Sequence, residues 1–213
     1  MTPSPDASSR AQSTGPQSTG PEPAEPRESY FRRIQAGINA LGAAFAQTEN
    51  SSHGRFSSGD LAELRRLDHQ AGYASTGSAF WRIVVEDLEP RQLVGEAAGE
   101  GALRPWLAIL QGLATLGGLH QPQRHLGSAL VETGISEARL TRLLSARGDT
   151  LLDQLRPLAH QLRSQNQAAN WAEAAQLVLS DGRSNADRVR QGIARSFYSR
   201  RSKEESVSSA EGS

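Results

Sequence analysis

The 213 residues carry 23 basic and 23 acidic side chains, five histidines and no cysteine, which excludes a disulfide framework, a thiolate metal site and a cysteine nucleophile. No apolar run approaches the roughly 18–20 residues of a membrane-spanning helix, and the first residues lack the apolar stretch of a secretory signal. A soluble, cytoplasmic protein of one domain or two small ones is expected.

The zero net charge hides a segregation. Residues 1–29 carry two arginines against four acids, and 30–103 carry seven against nine. Residues 104–201 carry thirteen arginines against seven acids, and 202–213 hold one lysine against three glutamates. The C-terminal half is therefore the basic half.

In chain order, residues 1–28 contain six prolines and no Ile, Leu, Val or aromatic side chain. They bury too little apolar surface to offset chain entropy and are expected as a disordered arm. The Ser- and Glu-rich residues 202–213 are expected as a disordered tail, leaving 29–201 as the helical domain. Phe31, Ile34, Ile38, Leu41 and Phe45 form a helical stripe over 30–46. After a loop over 48–56, Ser57 and Ser58 precede a helix carrying Leu61, Leu64 and Leu67. Ser78 opens another, with Phe80, Trp81, Ile83 and Val84. A loop with Gly95, Gly99 and Gly101 leads to Pro105 at an expected first helical position. Trp106, Leu107, Leu110, Leu113 and Leu116 then make a stripe closed by Gly117-Gly118.

Residues 126–132 read as a short helix ended by Gly134. Ser136 is placed as an N-cap before a helix that ends at Gly148. Asp149 is expected to cap a run with Leu151, Leu152, Leu155, Leu158, Ala159 and Leu162, which Pro157 should kink or split. Asn170 caps 171–179, and 185–201 form the last helix. With almost no strand signal, the pattern predicts an all-α compact bundle of eight or nine helices. The glycine-rich loop near residue 100 is a candidate divide between two small lobes.

Little here carries chemistry. His53, His69, His120, His125 and His160 do not match a metal-ligand spacing, and no cofactor is implied. The glycines near residue 100 match neither a dinucleotide fingerprint nor a P-loop. Asp149, Asp153, Asp181 and Asp187 suit helix ends and solvated faces better than a nuclease carboxylate cluster, which needs several at one point. Trp81, Trp106 and Trp171 sit on leucine-rich stripes and are expected in the core rather than stacked on bases.

The arginines are placed differently. They account for 22 of the 23 basic residues, and a guanidinium suits bidentate phosphate contact better than an ammonium does. Arg139 and Arg142 flank the stripe Leu140, Leu143 and Leu144, and Arg65-Arg66 lie between Leu64 and Leu67. Arg156 and Arg163, like Arg188 and Arg195, are seven apart and nearly eclipsed on a helix. Were these to converge into one track, each neutralised phosphate would add about 0.9 to the slope of log affinity against log salt.

Taken in order, Leu64-Arg65-Arg66-Leu67, Phe80-Trp81-Arg82, Leu110 with Leu113, Leu126-Gly127 with Ala129-Leu130, and Ser136-Glu137 with Arg139-Leu140 resemble the CasB family. Leu143-Leu144, Gln154-Leu155-Arg156 with Leu158, Asn170-Trp171, and Arg188 with Arg190 continue the resemblance, which covers roughly residues 60–200. CasB proteins are the small subunit of the type I-E CRISPR effector complex, Cascade. The resemblance implies an all-helical, non-enzymatic subunit, typically in two copies, within a guide-RNA ribonucleoprotein that serves antiviral defence. Its implied partners are the guide CRISPR RNA, the target and displaced DNA strands, the backbone and large subunits of Cascade, and a second copy of itself, with no membrane. Arg65, Arg66, Arg139, Arg156, Arg188 and Arg190 stand at basic positions of the family pattern and inherit a phosphate-contact role. Helical geometry adds Arg124, Arg142, Arg147 and Arg163. Pro157 departs from the pattern, as does the length of the N-terminal arm.

Two other classes remain open to test. A stand-alone helical DNA-binding regulator would present a short recognition helix to a major groove, with Gly134 between two short helices as its only hint. A nuclease would need the aspartates named above.

Overall fold

Apolar residues at helical spacing dominate the chain, and the computed structural model, which describes residues 27–50, 54–95 and 99–211, folds these into nine α-helices with no strand among them. They are α1 (Arg27–Asn50), α2 (Ser58–Arg65), α3 (Ser78–Ile83), α4 (Glu100–Leu116), α5 (Leu126–Glu132), α6 (Glu137–Ser145), α7 (Gly148–Ser164), α8 (Trp171–Leu179) and α9 (Ala186–Glu211). A turn of π-helix, Val84–Leu88, follows α3. No described helix is long and apolar enough to cross a membrane.

The helix starts are locally encoded. The Ser57 side chain accepts from the Asp60 N–H while the Asp60 carboxylate accepts from the Ser57 N–H, a reciprocal cap that opens α2. Ser136 and Asn170 cap α6 and α8 through their side-chain oxygens. The start of α3 is capped from elsewhere: the Glu63 carboxylate on α2 accepts from the Ala79 N–H at 2.9 Å. No local pattern announces that cap.

α4 organises the interior. It is buried on every side from Trp106 to Leu116, as a helix that is apolar around its circumference must be. α2 and α7 pack along it, and α1 and α8 also touch it. One apolar cluster thus runs from Ile34 on α1 to Phe197 on α9. The loop near residue 100 does not separate two cores, because α4 contacts helices from both halves of the chain.

Two glycines permit the closest approaches. A side chain at Gly112 would overlap the Trp171 ring, whose Nε1 donates to the Ile109 carbonyl at 2.9 Å. One at Gly127 would overlap the Ile193 carbonyl and the Ser196 hydroxyl, so α5 lies directly against the backbone of α9.

Several expectations change in three dimensions. α4 begins at Glu100, which makes Pro105 its sixth residue rather than its first, and α7 continues through Pro157. In both cases the residue four positions earlier, Gly101 or Asp153, is exposed, so water can serve the carbonyl that a proline leaves unpaired. α6 ends at Ser145, and Gly148 opens α7 with φ +49° instead of closing α6. The proline-rich arm lies outside the described residues up to residue 26, and Arg27 already begins α1. Residues 202–211, expected as tail, continue α9 as helix, with Arg200–Glu204 and Arg201–Glu205 paired one turn apart. Trp106 and Trp171 are in the core, but Trp81 is 40% exposed and tilts against Tyr73. Its neighbour Phe80 takes the inward position instead.

His120 joins the α4–α5 connection to α1 and α8. Its Nδ1 accepts from the Trp171 N–H at 3.1 Å, which leaves Nε2 to donate to Asn39 Oδ1 at 3.0 Å. That arrangement needs a neutral ring, and burial pushes the imidazole from its usual 6.5 down to about 4. The unfolded chain therefore takes up a proton below pH 6.5 that the native protein refuses until about pH 4. Stability from this group is full above pH 6.5 and declines between those values, by roughly 3 kcal/mol in total. Urea unfolding followed at pH 7, 5.5 and 4 should show that decline, and a His120→Gln variant should flatten it. Gly127→Ala should lower stability by about 1–3 kcal/mol through overpacking of α5 on α9, measured in the same way.

Candidate nucleic-acid interface

The ten predicted arginines separate by what surrounds them. At the C-terminal end of α4, where carbonyls lack helical partners and the dipole favours cations, Arg65 Nε donates to the Ala114 carbonyl at 2.9 Å. Arg163 Nη1 donates to the Leu116 carbonyl, also at 2.9 Å. Glu49 at the end of α1 pairs with both guanidiniums, at 3.0 and 3.3 Å, and accepts from the Gly118 N–H. One carboxylate thus meets two guanidiniums, and a positive charge is left over.

The exposed face of α7 continues from this point. At its other end, Asp153 meets Gln70 Nε2 at 2.9 Å and His69 at 3.2 Å. The face is tied at this end to the segment that follows α2 and at the Arg163 end to Glu49 and the Leu116 carbonyl, and Arg156 and His160 lie between the ties. Arg66, the C-cap of α2, is on that segment. Arg66 and Arg156 are exposed, with no carboxylate partner among the described residues.

α6 lies along the opposite edge of α7. Leu140 and Leu143 are buried, so Arg139 and Arg142 point outward. The Arg139 guanidinium donates to Gln161 Oε1 on α7, while Arg142 is exposed without a side-chain partner among the described residues. Gln161 and Arg156 are five residues apart, about 140° around the helix, so α7 carries these cationic groups on two edges.

Asp181, just beyond α8, holds the junction of α6, α7 and α9. It accepts from the Gly148 N–H at 2.7 Å and from Arg190 Nη2 at 2.7 Å, and lies 3.6 Å from Arg147 Nε. Burial alone would raise its carboxyl, but the Gly148 amide, Arg190 and Arg147 together hold it below the ordinary aspartate range. Arg190 is only 7% exposed and also donates to the Leu144 carbonyl at 2.9 Å. It is an internal strut, turned away from any ligand outside the bundle. Arg147 is spent mainly on the Leu144 and Ala146 carbonyls. Arg124 is exposed but paired to Glu132 at 2.6 Å, a carboxylate that Arg200 shares.

Arg188 stands apart. With Arg195 it borders a groove of about 720 Å³ between α1, α8 and α9, floored by Phe31, Val189 and Ile193. The other side of α9 meets α6, where Arg201 pairs with Glu137 at 2.7 Å. The expected single track is therefore divided: Arg65, Arg66, Arg139, Arg142, Arg156 and Arg163 gather about α7, and Arg188 faces a different flank. Arg195 belongs with Arg188; its seven-residue spacing was the available signal. The contribution of α1 to the groove had no sequence signal, since it comes from packing across the chain.

The four aspartates do not meet at one point: Asp149 pairs with Arg104 at 3.0 Å and Asp153 with His69 and Gln70, while Asp181 and Asp187 both face Arg190, at 2.7 and 4.0 Å. Among the described residues no three His, Asp or Glu side chains form a group able to hold a metal ion.

The profile of the family described as CRISPR-associated protein Cse2 matches residues 60–198. The crystal structure of M. ruber CasB superposes with a TM-score of 0.55 at 22% identity, covering 83% of this chain and 98% of that one. No curated protein matches by sequence.

The division among arginines is testable by stability alone. Asp181→Asn leaves the buried Arg190 guanidinium without its counter-charge and should cost about 2–4 kcal/mol in urea unfolding. Arg142→Ala, which removes an exposed and unpaired group, should stay within about 0.5 kcal/mol of the parent.

Proposed function

The chain belongs to the CRISPR-associated Cse2 family, the CasB subunits of Cascade, and from that membership we propose that it is a non-catalytic small subunit of a type I-E RNA-guided complex that steadies the guide RNA–target DNA hybrid and the displaced strand. The observation that carries the proposal is the set of exposed guanidiniums about α7, of which Arg66, Arg142 and Arg156 have no carboxylate partner among the described residues. Arg139 meets only an amide, and Arg65 and Arg163 share one carboxylate.

Such a surface reads charge, not sequence. Guanidiniums on two edges of a helix can meet sugar-phosphate chains through bidentate contacts, while no base-reading array is required of them. Replacing a DNA duplex by an RNA–DNA hybrid is nearly balanced in free energy, so a few backbone contacts decide whether the opened state persists. The affinity of this surface alone is modest. Incorporation beside the backbone and large subunits, and beside a second copy of the chain, supplies the rest as effective concentration. In this account the protein acts in the cytoplasm, in antiviral defence. Arg124, Arg147 and Arg190 make a smaller contribution because each is already engaged inside the protein.

The experiment is target retention by the reconstituted complex, followed by gel shift across a salt series. Arg139→Glu/Arg142→Glu and Arg66→Glu/Arg156→Glu should each weaken retention without unfolding the subunit. Each lost phosphate contact should lower the salt slope by about 0.9. Arg124→Ala should change retention little. Unchanged retention in both double variants would remove the proposed role, and sequence-specific binding by the isolated chain would favour a regulator instead.

A further inference from the structure

We propose that the groove between α1, α8 and α9 is a docking site for this chain's own acidic, proline-rich segment, residues 21–26 (Pro-Glu-Pro-Ala-Glu-Pro). The groove joins an apolar floor, Phe31, Val189 and Ile193, to a cationic rim formed by Arg188 and Arg195. Neither rim arginine has a carboxylate partner among the described residues. The acid within the lining, Glu173, is already occupied: its Oε1 meets His125 Nδ1 at 2.7 Å and its Oε2 accepts from the Leu126 N–H at 2.9 Å. The rim charge is therefore available to a ligand.

The segment matches the groove in place and charge. It ends one residue before α1 begins at Arg27, and Phe31 is one turn into that helix, so the segment is tethered beside the floor. It carries Glu22 and Glu25 and no cation. Glu22 and Glu25 lie three residues apart in the segment, and Arg188 and Arg195 share one edge of α9, about 10.5 Å apart along its axis. Tethering raises the local concentration of the segment toward the millimolar range, so two weak ion pairs and a small apolar contact suffice.

Docking can be read without any nucleic acid, and its outcome is independent of the function proposed above. The chain has no cysteine, and a side chain at Gly192, midway along the rim, meets nothing within 4 Å. In the full chain, Ala24→Cys/Gly192→Cys should form an internal disulfide under mild oxidation about tenfold faster than an Ala7→Cys/Gly192→Cys control. The advantage should shrink in high salt. It should fall, to what the shorter tether alone gives, when Glu22→Lys and Glu25→Lys are added. A rate equal to the control, or one indifferent to that charge reversal, overturns the proposal.

Discussion

A helix that is apolar around its whole circumference has to be enclosed, and α4, buried from Trp106 to Leu116, draws α1, α2, α7 and α8 around itself. Everything else is arranged by that enclosure. The Trp171 ring occupies the space left at Gly112, which sets how closely α8 approaches. The C-terminal carbonyls of α4 then face the junction of α1, α2 and α7, where Arg65 and Arg163 reach them. Cationic groups are placed at this edge of the bundle because the end of a buried helix needs donors there.

The arginines consequently divide between two kinds of work. Arg190 is almost wholly buried and opposed to Asp181, so its charge is cancelled within the fold. Arg65 and Arg163 cap α4 and share Glu49, keeping one charge between them that faces outward. Arg66, Arg142 and Arg156 stabilise nothing visible among the described residues. Exposed guanidiniums without a counter-ion cost the free protein little, since water solvates them, and they are the groups that gain most when a phosphate arrives. That contrast gives the family role a physical form on this chain. It also explains why counting arginines overstates the interface.

α9 separates this region from the groove that Arg188 and Arg195 border. One side of the helix is tied to α6 through Glu137, Tyr198 and Arg201, and the other is open. A cationic rim over an apolar floor suits an extended acidic peptide better than a nucleic-acid backbone alone, because the floor offers nothing to a phosphate. The N-terminal segment is the nearest such peptide.

Helical class, most helix positions and the inward leucines were legible from the sequence, because periodicity and caps such as Ser57, Ser136 and Asn170 are local properties. Family membership was legible for a similar reason: the ordered motifs from Leu64 to Arg190 lie within the residues that the Cse2 profile matches. The fate of each arginine was not. Arg190 and Arg188 are two residues apart with the same chemistry, yet one is a buried strut and the other an exposed rim residue, since only the packing of α9 decides which side meets Asp181. Trp81 left the core position expected for it in the same way, and Glu63 capped a helix that starts thirteen residues beyond the end of α2. Sequence alone determined which segments must bury their apolar faces. Tertiary structure decided which charges those buried faces leave uncancelled, because a counter-ion far along the chain is brought near only by packing.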